Sequence, residues 1–245
     1  MTATPLPDIL TQAASDFLHS WFFSRTFAGC VLDPRWPLAH VRFGSAVYGR
    51  LEEYLALTPG PDLLAQLEPA RSRPHWLSLL AAEPGLSAAL EAAGYRAVAD
   101  ETLMRRETLE KLPEAGGTEV RRVRTAAALE ALCRRVDYRM ADPARVHEDG
   151  YRQYVAWLDG EPAGWARCVV VNGAAVLDRV MTRPQFRRRG VGRALTLRAL
   201  HEARAAGAER AALVASSAGV PLYRSVGFER VADSRVLRWD LPAQL

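Results

Sequence analysis

The chain has 245 residues, 49% hydrophobic and 24% charged, the balance of a folded globular protein rather than a disordered or fibrous one. Its net charge of +4 is carried almost wholly by arginine, with Lys111 the single lysine, and the cations cluster only between Arg183 and Arg193, a weaker and less clustered basic excess than a general nucleic-acid binder usually shows. Three cysteines without Cys-x-x-Cys spacing and five histidines never at metal-ligand spacing argue against a disulfide framework or a metal site; the first basic residue is Arg25, no apolar run reaches the roughly 18 residues of a membrane span, and a cytoplasmic protein is expected.

In chain order, Pro7 to Phe27 reads as a helix: Ile9, Ala13, Phe17, Trp21 and Phe22 recur at three- and four-residue steps, and Asp8 supplies early negative charge. Cys30 to Pro37 reads as a loop, His40 to Phe43 as a short strand, and Ser45 to Leu57 as a helix. Thr58-Pro59-Gly60-Pro61 breaks the chain before a helical piece at Asp62 to Leu67. Trp76 to Ala82 predicts a strand, Leu86 to Ala93 a helix stopped by Gly94, and Ala97 to Arg106 a hairpin-like segment. Glu107 to Gly117, with Pro113 and Gly116-Gly117, predicts a linker that divides the chain into domains 1–115 and 116–245.

The second half opens with a strand at Glu119 to Val123 and an amphipathic helix at Ala126 to Asp137, followed by a mostly polar stretch from Tyr138 to Gly150 that reads as irregular or partly helical. Strands at Gln153 to Leu158 and Ala163 to Val171 flank Asp159-Gly160, and Asn172-Gly173 turns into a third at Ala174 to Thr182. A helix at Ala194 to Ala206, a strand at Ala211 to Ala215, a helix at Val220 to Val226 and a strand near Arg235 to Trp239 complete the reading.

Between the Ala174 strand and the Ala194 helix lies Arg187-x-x-Gly190-x-Gly192. Glycines here let the backbone turn sharply and lie against a ligand, the helix start offers unpaired N–H groups, and Arg187, Arg188, Arg189 and Arg193 add positive charge. A diphosphate suits this cradle. The turn has neither Gly-x-Gly-x-x-Gly nor a Walker ending, so it fits neither an NAD-type nor an ATP-type fingerprint.

The loop resembles the pyrophosphate loop of the GNAT superfamily of acetyl-CoA-dependent N-acyltransferases, and Leu222-Tyr223-x-x-x-Gly227-Phe228 matches a second segment of that family. The element order from Glu119 to Trp239 is similar to the complete GNAT fold, an α/β fold with a mixed sheet. The resemblance implies acetyl-CoA as acyl donor, held by Val180, Met181, Thr182, Arg187, Arg188, Arg189, Gly190, Val191, Gly192, Arg193 and Ser216, with no metal. It also implies that an N–H near Met181 stabilises the oxyanion, that Tyr223 protonates the departing sulfur, and that Asp178 receives the acceptor's proton, although Asp178 could equally pair with Arg179 or Arg167. Ser216 and Gly219 stand where many relatives have asparagine and alanine.

Sliding the chain on itself by 133 positions sets Gly94-Tyr95 on Gly227-Phe228, Val98-Ala99-Asp100 on Val231-Ala232-Asp233 and Arg105 on Arg238. The first half therefore reads as a degenerate GNAT-like copy without a basic glycine loop and with Leu90 where the second half has Tyr223. Three functions follow as expectations: N-acetyl transfer to a primary amine of a small molecule or peptide by direct attack in a ternary complex, a catalytically idle CoA-binding module, and, least favoured, nucleic-acid binding through Arg183 to Arg193. Neither a membrane nor a nucleic acid is expected as partner; a homodimer is compatible with the sequence.

Overall fold

The computed structural model describes residues 9–25, 30–34, 37–47, 49–138 and 141–241, so Pro7, Asp8, Thr26 and Phe27 of the first expected helix lie outside it. The elements run α1 (Ile9–Arg25), β1 (Val31–Asp33), β2 (Leu38–Val47), β3 (Arg50–Leu57), α2 (Leu63–Gln66), β4 (His75–Leu80), α3 (Leu86–Ala92) and β5 (Arg96–Arg106) in the first half. In the second half come β6 (Glu119–Val123), α4 (Ala126–Val136), β7 (Tyr151–Leu158), β8 (Glu161–Val171), β9 (Ala174–Thr182), α5 (Val191–Ala205), β10 (Arg210–Ser216), α6 (Val220–Ser225) and β11 (Glu229–Trp239). No helix among the described residues is long and apolar enough to cross a membrane.

Three local expectations are corrected. Residues 31–33 of the expected loop form β1, Ala97 to Arg106 lies within the single strand β5, and the expected helix at Ser45 to Leu57 is the end of β2 and all of β3. The last error has an electrostatic cause. Glu52 and Glu53 are both buried: Glu53 is held by Arg25 and Arg50, and Glu52 accepts from Tyr54 Oη at 2.7 Å and Arg73 Nη1 at 2.9 Å. Ion pairs and hydrogen bonds keep both carboxyls below the usual carboxylate range despite burial that pushes the other way.

The chain forms two compact units: Met1–Leu103 with Val214–Ala218 and Arg230–Leu245, and Met104–Leu213 with Gly219–Glu229. In the first, β1, β2 and β3 are successively antiparallel, β3 and β4 parallel, and β4 and β11 antiparallel. The last strand of the sequence thus completes a sheet begun by the first half. Ala13, Ala14, Leu18, Trp21 and Phe22 of α1 pack with Val41, Phe43, Leu55 and Leu80. Leu63, Leu67, Leu86 and Leu90 form another cluster with Leu77, Leu79, Tyr95 and Leu237.

In the second unit β6, β7, β8 and β9 are successively antiparallel, and β9 and β10 parallel. The hairpins turn where the sequence places Asp159-Gly160 and Asn172-Gly173; all four residues have positive φ, 55° and 74° in the first and 50° and 72° in the second. Thr125 caps α4 by accepting from Ala128 N at 3.2 Å.

The repeat is legible in the elements. A shift of 133 carries β5, residue for residue, onto β11, and α3 onto α6 to within one residue at its start. Both helices end in one hydrogen-bond pattern: Tyr95 N–H to Leu90 O and Gly94 N–H to Glu91 O, and Phe228 N–H to Tyr223 O and Gly227 N–H to Arg224 O, each at 3.0 Å. This is the Schellman cap, which needs a left-handed residue; Gly94 and Gly227 supply φ of 104° and 84°.

Candidate active site

The site is built where β9 ends and α5 begins. The parallel ladder between β9 and β10 covers only Ala174–Leu177 against Arg210–Leu213, while β9 runs on to Thr182. Its register against β8 slips between Met181, opposite Trp165, and Asp178, opposite Arg167, so three steps of β9 face two of β8. The extra residue makes a bulge, and Arg179 there takes a left-handed φ of 51°. The bulge leaves Arg179 and Val180 without a register partner on β8.

Gly164 permits the close approach of β8 to this bulge. A Cβ on Gly164 would stand 2.4 Å from the Met181 carbonyl oxygen and 3.0 Å from Val191 Cγ1. Sequence reading passed over Gly164, although an isolated glycine within a strand is itself a signal of close backbone approach.

From Thr182 the chain passes through a 3-10 turn at Pro184–Phe186 into the basic loop. Arg188 and Gly190 are left-handed, with φ of 62° and 80°, a geometry that turns successive N–H groups to one side. The first backbone bond into α5 is Ala194 N–H to Gly190 O at 3.0 Å, so the N–H groups of Val191, Gly192 and Arg193 have no acceptor within the helix. An added Cβ on Gly190 would meet nothing within 4 Å, whereas one on Gly192 would lie 3.0 Å from Leu222 Cδ2 and 3.7 Å from Thr182 Oγ1. Gly192 therefore marks where β9, α5 and α6 converge. Gly190 is exposed, Gly192 and Arg193 are half-buried, and Val191 is buried.

The four arginines are not equivalent. Arg188 is exposed, and Arg187 Nε reaches Thr182 O at 3.5 Å. Arg189 Nη1 pairs with Asp159 Oδ2 at 2.9 Å, and Arg193 Nη1 donates to Glu114 O at 3.2 Å. Ser216, the exposed last residue of β10, belongs to the first unit.

Tyr223 is 8% exposed on α6, and its ring stands edge-on to Phe228 with centroids 5.9 Å apart. The Leu222-to-Phe228 motif thus has a physical reading: glycine supplies the left-handed cap, and the aromatic after it packs on the helix residue whose carbonyl it caps. Burial pushes the Tyr223 phenol up to about 12, so it stays protonated at neutral pH.

Asp178 forms an ion pair with Arg167, the first of the two partners the sequence left open to be met. Arg167 is buried and also donates to Tyr151 Oη at 3.1 Å. Arg145 lies 4.9 Å from the Tyr151 ring centroid and bonds Glu148 Oε2 at 2.6 Å. Arg179 Nη1 reaches Tyr138 Oη at 3.4 Å, and Tyr138 stacks on Trp165 with centroids 5.0 Å apart. The sequence named Arg167 and Arg179 as alternatives for Asp178, whereas the Arg167–Tyr151 and Arg179–Tyr138 contacts join distant segments and were not legible in it. Among the described residues no group of His, Cys, Asp or Glu could hold a metal ion.

Residues 119–228 match the acetyltransferase (GNAT) family. They form a GNAT acetyltransferase domain. The fold of GNAT proteins extends over almost the whole chain: a GCN5-related N-acetyltransferase from Kribbella flavida is similar at 23% identity, over 96% of each chain, with a TM-score of 0.69. A GCN5-related N-acetyltransferase from Sphaerobacter thermophilus is similar at 17% identity over 95% of this chain and 96% of that one, with a TM-score of 0.59. A tandem GNAT protein from the clavulanic acid biosynthesis pathway gives 16% identity, 93% and 94% coverage and a TM-score of 0.53. No curated protein matches the sequence. The GNAT family uses acetyl-CoA as donor and acts on amine acceptors.

Proposed function

We propose that this chain is an N-acetyltransferase that moves the acetyl group of acetyl-CoA to a primary amine of a small molecule or peptide, by direct attack in a ternary complex. The observation that carries this reading is the convergence at Gly192 of the bulged end of β9, the unpaired N-terminus of α5 and the helix bearing Tyr223. Acetyl-CoA supplies the activated thioester. The N–H groups from Gly190 to Arg193, with Arg187 and Arg188, hold the diphosphate; the backbone of Val180 and Thr182 pairs the pantetheine amides, and the Met181 N–H faces the developing oxyanion.

Asp178, its side chain 36% exposed beside Arg167, accepts the amine's proton through water. The amine nitrogen then bonds the carbonyl carbon, the C–S bond breaks as the Tyr223 proton passes to the sulfur, and the new amide nitrogen gives up its second proton to solvent. Solvent returns a proton to the phenolate. A thiol with a reference pKa of about 8.5 leaves far more readily protonated than as thiolate in a buried site. Domain 116–245 carries the chemistry in this reading. In the first half the parallel pair β3 and β4 stays in register from Glu52 and His75 to Leu57 and Leu80, the ends of both strands, and Leu90 is fully buried, which supports a non-catalytic role for that half.

Calorimetric titration with acetyl-CoA and thiol release across an amine panel test the proposal. Micromolar binding is expected, with turnover that Tyr223→Phe lowers by about 100-fold while leaving binding intact. Absence of binding would overturn the donor assignment; binding without turnover on any amine would identify an idle CoA-binding module.

A further inference from the structure

The carbonyl of Val226, the residue that caps α6, is met from outside the helix. Tyr223 O takes the N–H groups of Val226 at 3.1 Å and Phe228 at 3.0 Å, and Arg224 O takes that of Gly227. Val226 O is met by Arg106, whose Nη1 donates at 2.7 Å while Nη2 donates to Lys111 O at 2.6 Å. Gly227 makes the room: a Cβ there would lie 1.7 Å from Arg106 Nη1. The glycine is thus required twice, for its left-handed φ and for the guanidinium beside it.

We propose that Arg106 is a positioning residue for Tyr223, fixing the six-residue helix α6 through the carbonyl of its C-cap residue Val226 and so holding the phenol at the departing sulfur. The inference rests on the proposed role of Tyr223. A helix this short does not hold its own geometry, and the carbonyl that anchors its cap is that of Tyr223 itself. A cationic donor at a helix C-terminus both satisfies a carbonyl and complements the dipole. Arg106 is the last residue of β5, before the linker and outside the matched stretch 119–228. A segment of the first repeat therefore finishes the catalytic helix of the second.

The first unit contains an internal control. Arg71 Nη2 donates to Ala93 O at 2.7 Å, and Ala93 is the repeat counterpart of Val226, but the helix there carries Leu90 instead of a tyrosine. The same cap with no phenol has no proton to position.

The test compares Arg106→Met, Arg106→Lys, Tyr223→Phe, the Arg106→Met/Tyr223→Phe double variant and Arg71→Met in the full chain. The readouts are acetyl-CoA thioester cleavage, with the best amine or with water alone, and amide hydrogen exchange over residues 220–228. Losing a charge-assisted hydrogen bond to the cap is expected to lower kcat about 10-fold in Arg106→Met and about threefold in Arg106→Lys, with KM for acetyl-CoA within about threefold. Exchange at residues 226–228 should rise about 10-fold in Arg106→Met, and Arg71→Met should leave kcat within about twofold. Because Arg106 acts through the phenol, its substitution should cost nothing further once Tyr223 is phenylalanine. Fully additive losses in the double variant, unchanged exchange, or an unchanged kcat in Arg106→Met beside a crippled Tyr223→Phe would overturn the positioning role alone. An unchanged kcat in Tyr223→Phe would instead overturn the acid role on which it rests.

Discussion

Gly164→Ala tests the geometry at its tightest point. The new methyl carbon would sit 2.4 Å from Met181 O, against about 3.2 Å for a close non-bonded contact, with Val191 Cγ1 at 3.0 Å and Leu195 Cδ1 at 3.3 Å closing the other sides. Two of the three neighbours are side chains that can turn, but the carbonyl is backbone within the β8–β9 ladder, so the strands must part by nearly 1 Å. Overpacking of this kind costs about 1–3 kcal/mol, which for a chain of this size lowers Tm by about 2–10 °C. The displacement falls on Met181, whose N–H is proposed to face the oxyanion, and a shift of about 1 Å there costs about 100-fold in kcat. Differential scanning fluorimetry and thiol release on the same preparation read both effects. A Tm within 1 °C of the parent together with kcat within twofold would refute the claimed contact and its link to catalysis.

Gly190→Val places a β-branched residue at a φ of 80° with open space around it, so strain rather than collision acts; acetyl-CoA affinity measured by titration should fall at least about 10-fold, with a stability loss of about 1–2 kcal/mol. Leu237→Ala removes a fully buried side chain from the cluster under α3 and should cost about 2–5 kcal/mol in urea melts while leaving kcat per folded molecule unchanged. His75 and His40 are both held below the ordinary 6.5, first by burial, with Arg42 adding to the effect at His40 and Glu52 opposing it at both. The unfolded chain therefore takes up protons that the folded chain refuses, and the urea midpoint should fall as pH drops from 7.5 through 6.5 to 5.5, a window above that of the depressed Glu52 and Glu53.

Much of the candidate site was readable because its signals are local. The turns at Asp159-Gly160 and Asn172-Gly173, the loop glycine at Gly190 and the cap at Gly227 each require a backbone conformation that few residues adopt, so residue type and spacing announce them. The strand β3 was misread because its paired glutamates took meaning from Arg25, Arg50 and Arg73, remote partners that neutralise them in the interior. Asp178 was identified while its partner stayed open, since Arg167 on β8 and Arg179 beside it in sequence are both within plausible reach of a carboxylate.

The sequence by itself determined the family of residues 119–228, the left-handed glycine turn that opens α5 and the register of the internal repeat, all encoded in dihedral requirements and short spacings. Only the tertiary structure decided that β11 pairs with β4, that β8 approaches β9 closely enough to demand Gly164, and that Arg106 closes the cap of α6. The physical reason is range: a hydrogen bond such as that between Arg106 and Val226 joins residues 120 positions apart, and nothing in either neighbourhood specifies the other until the strands have assembled.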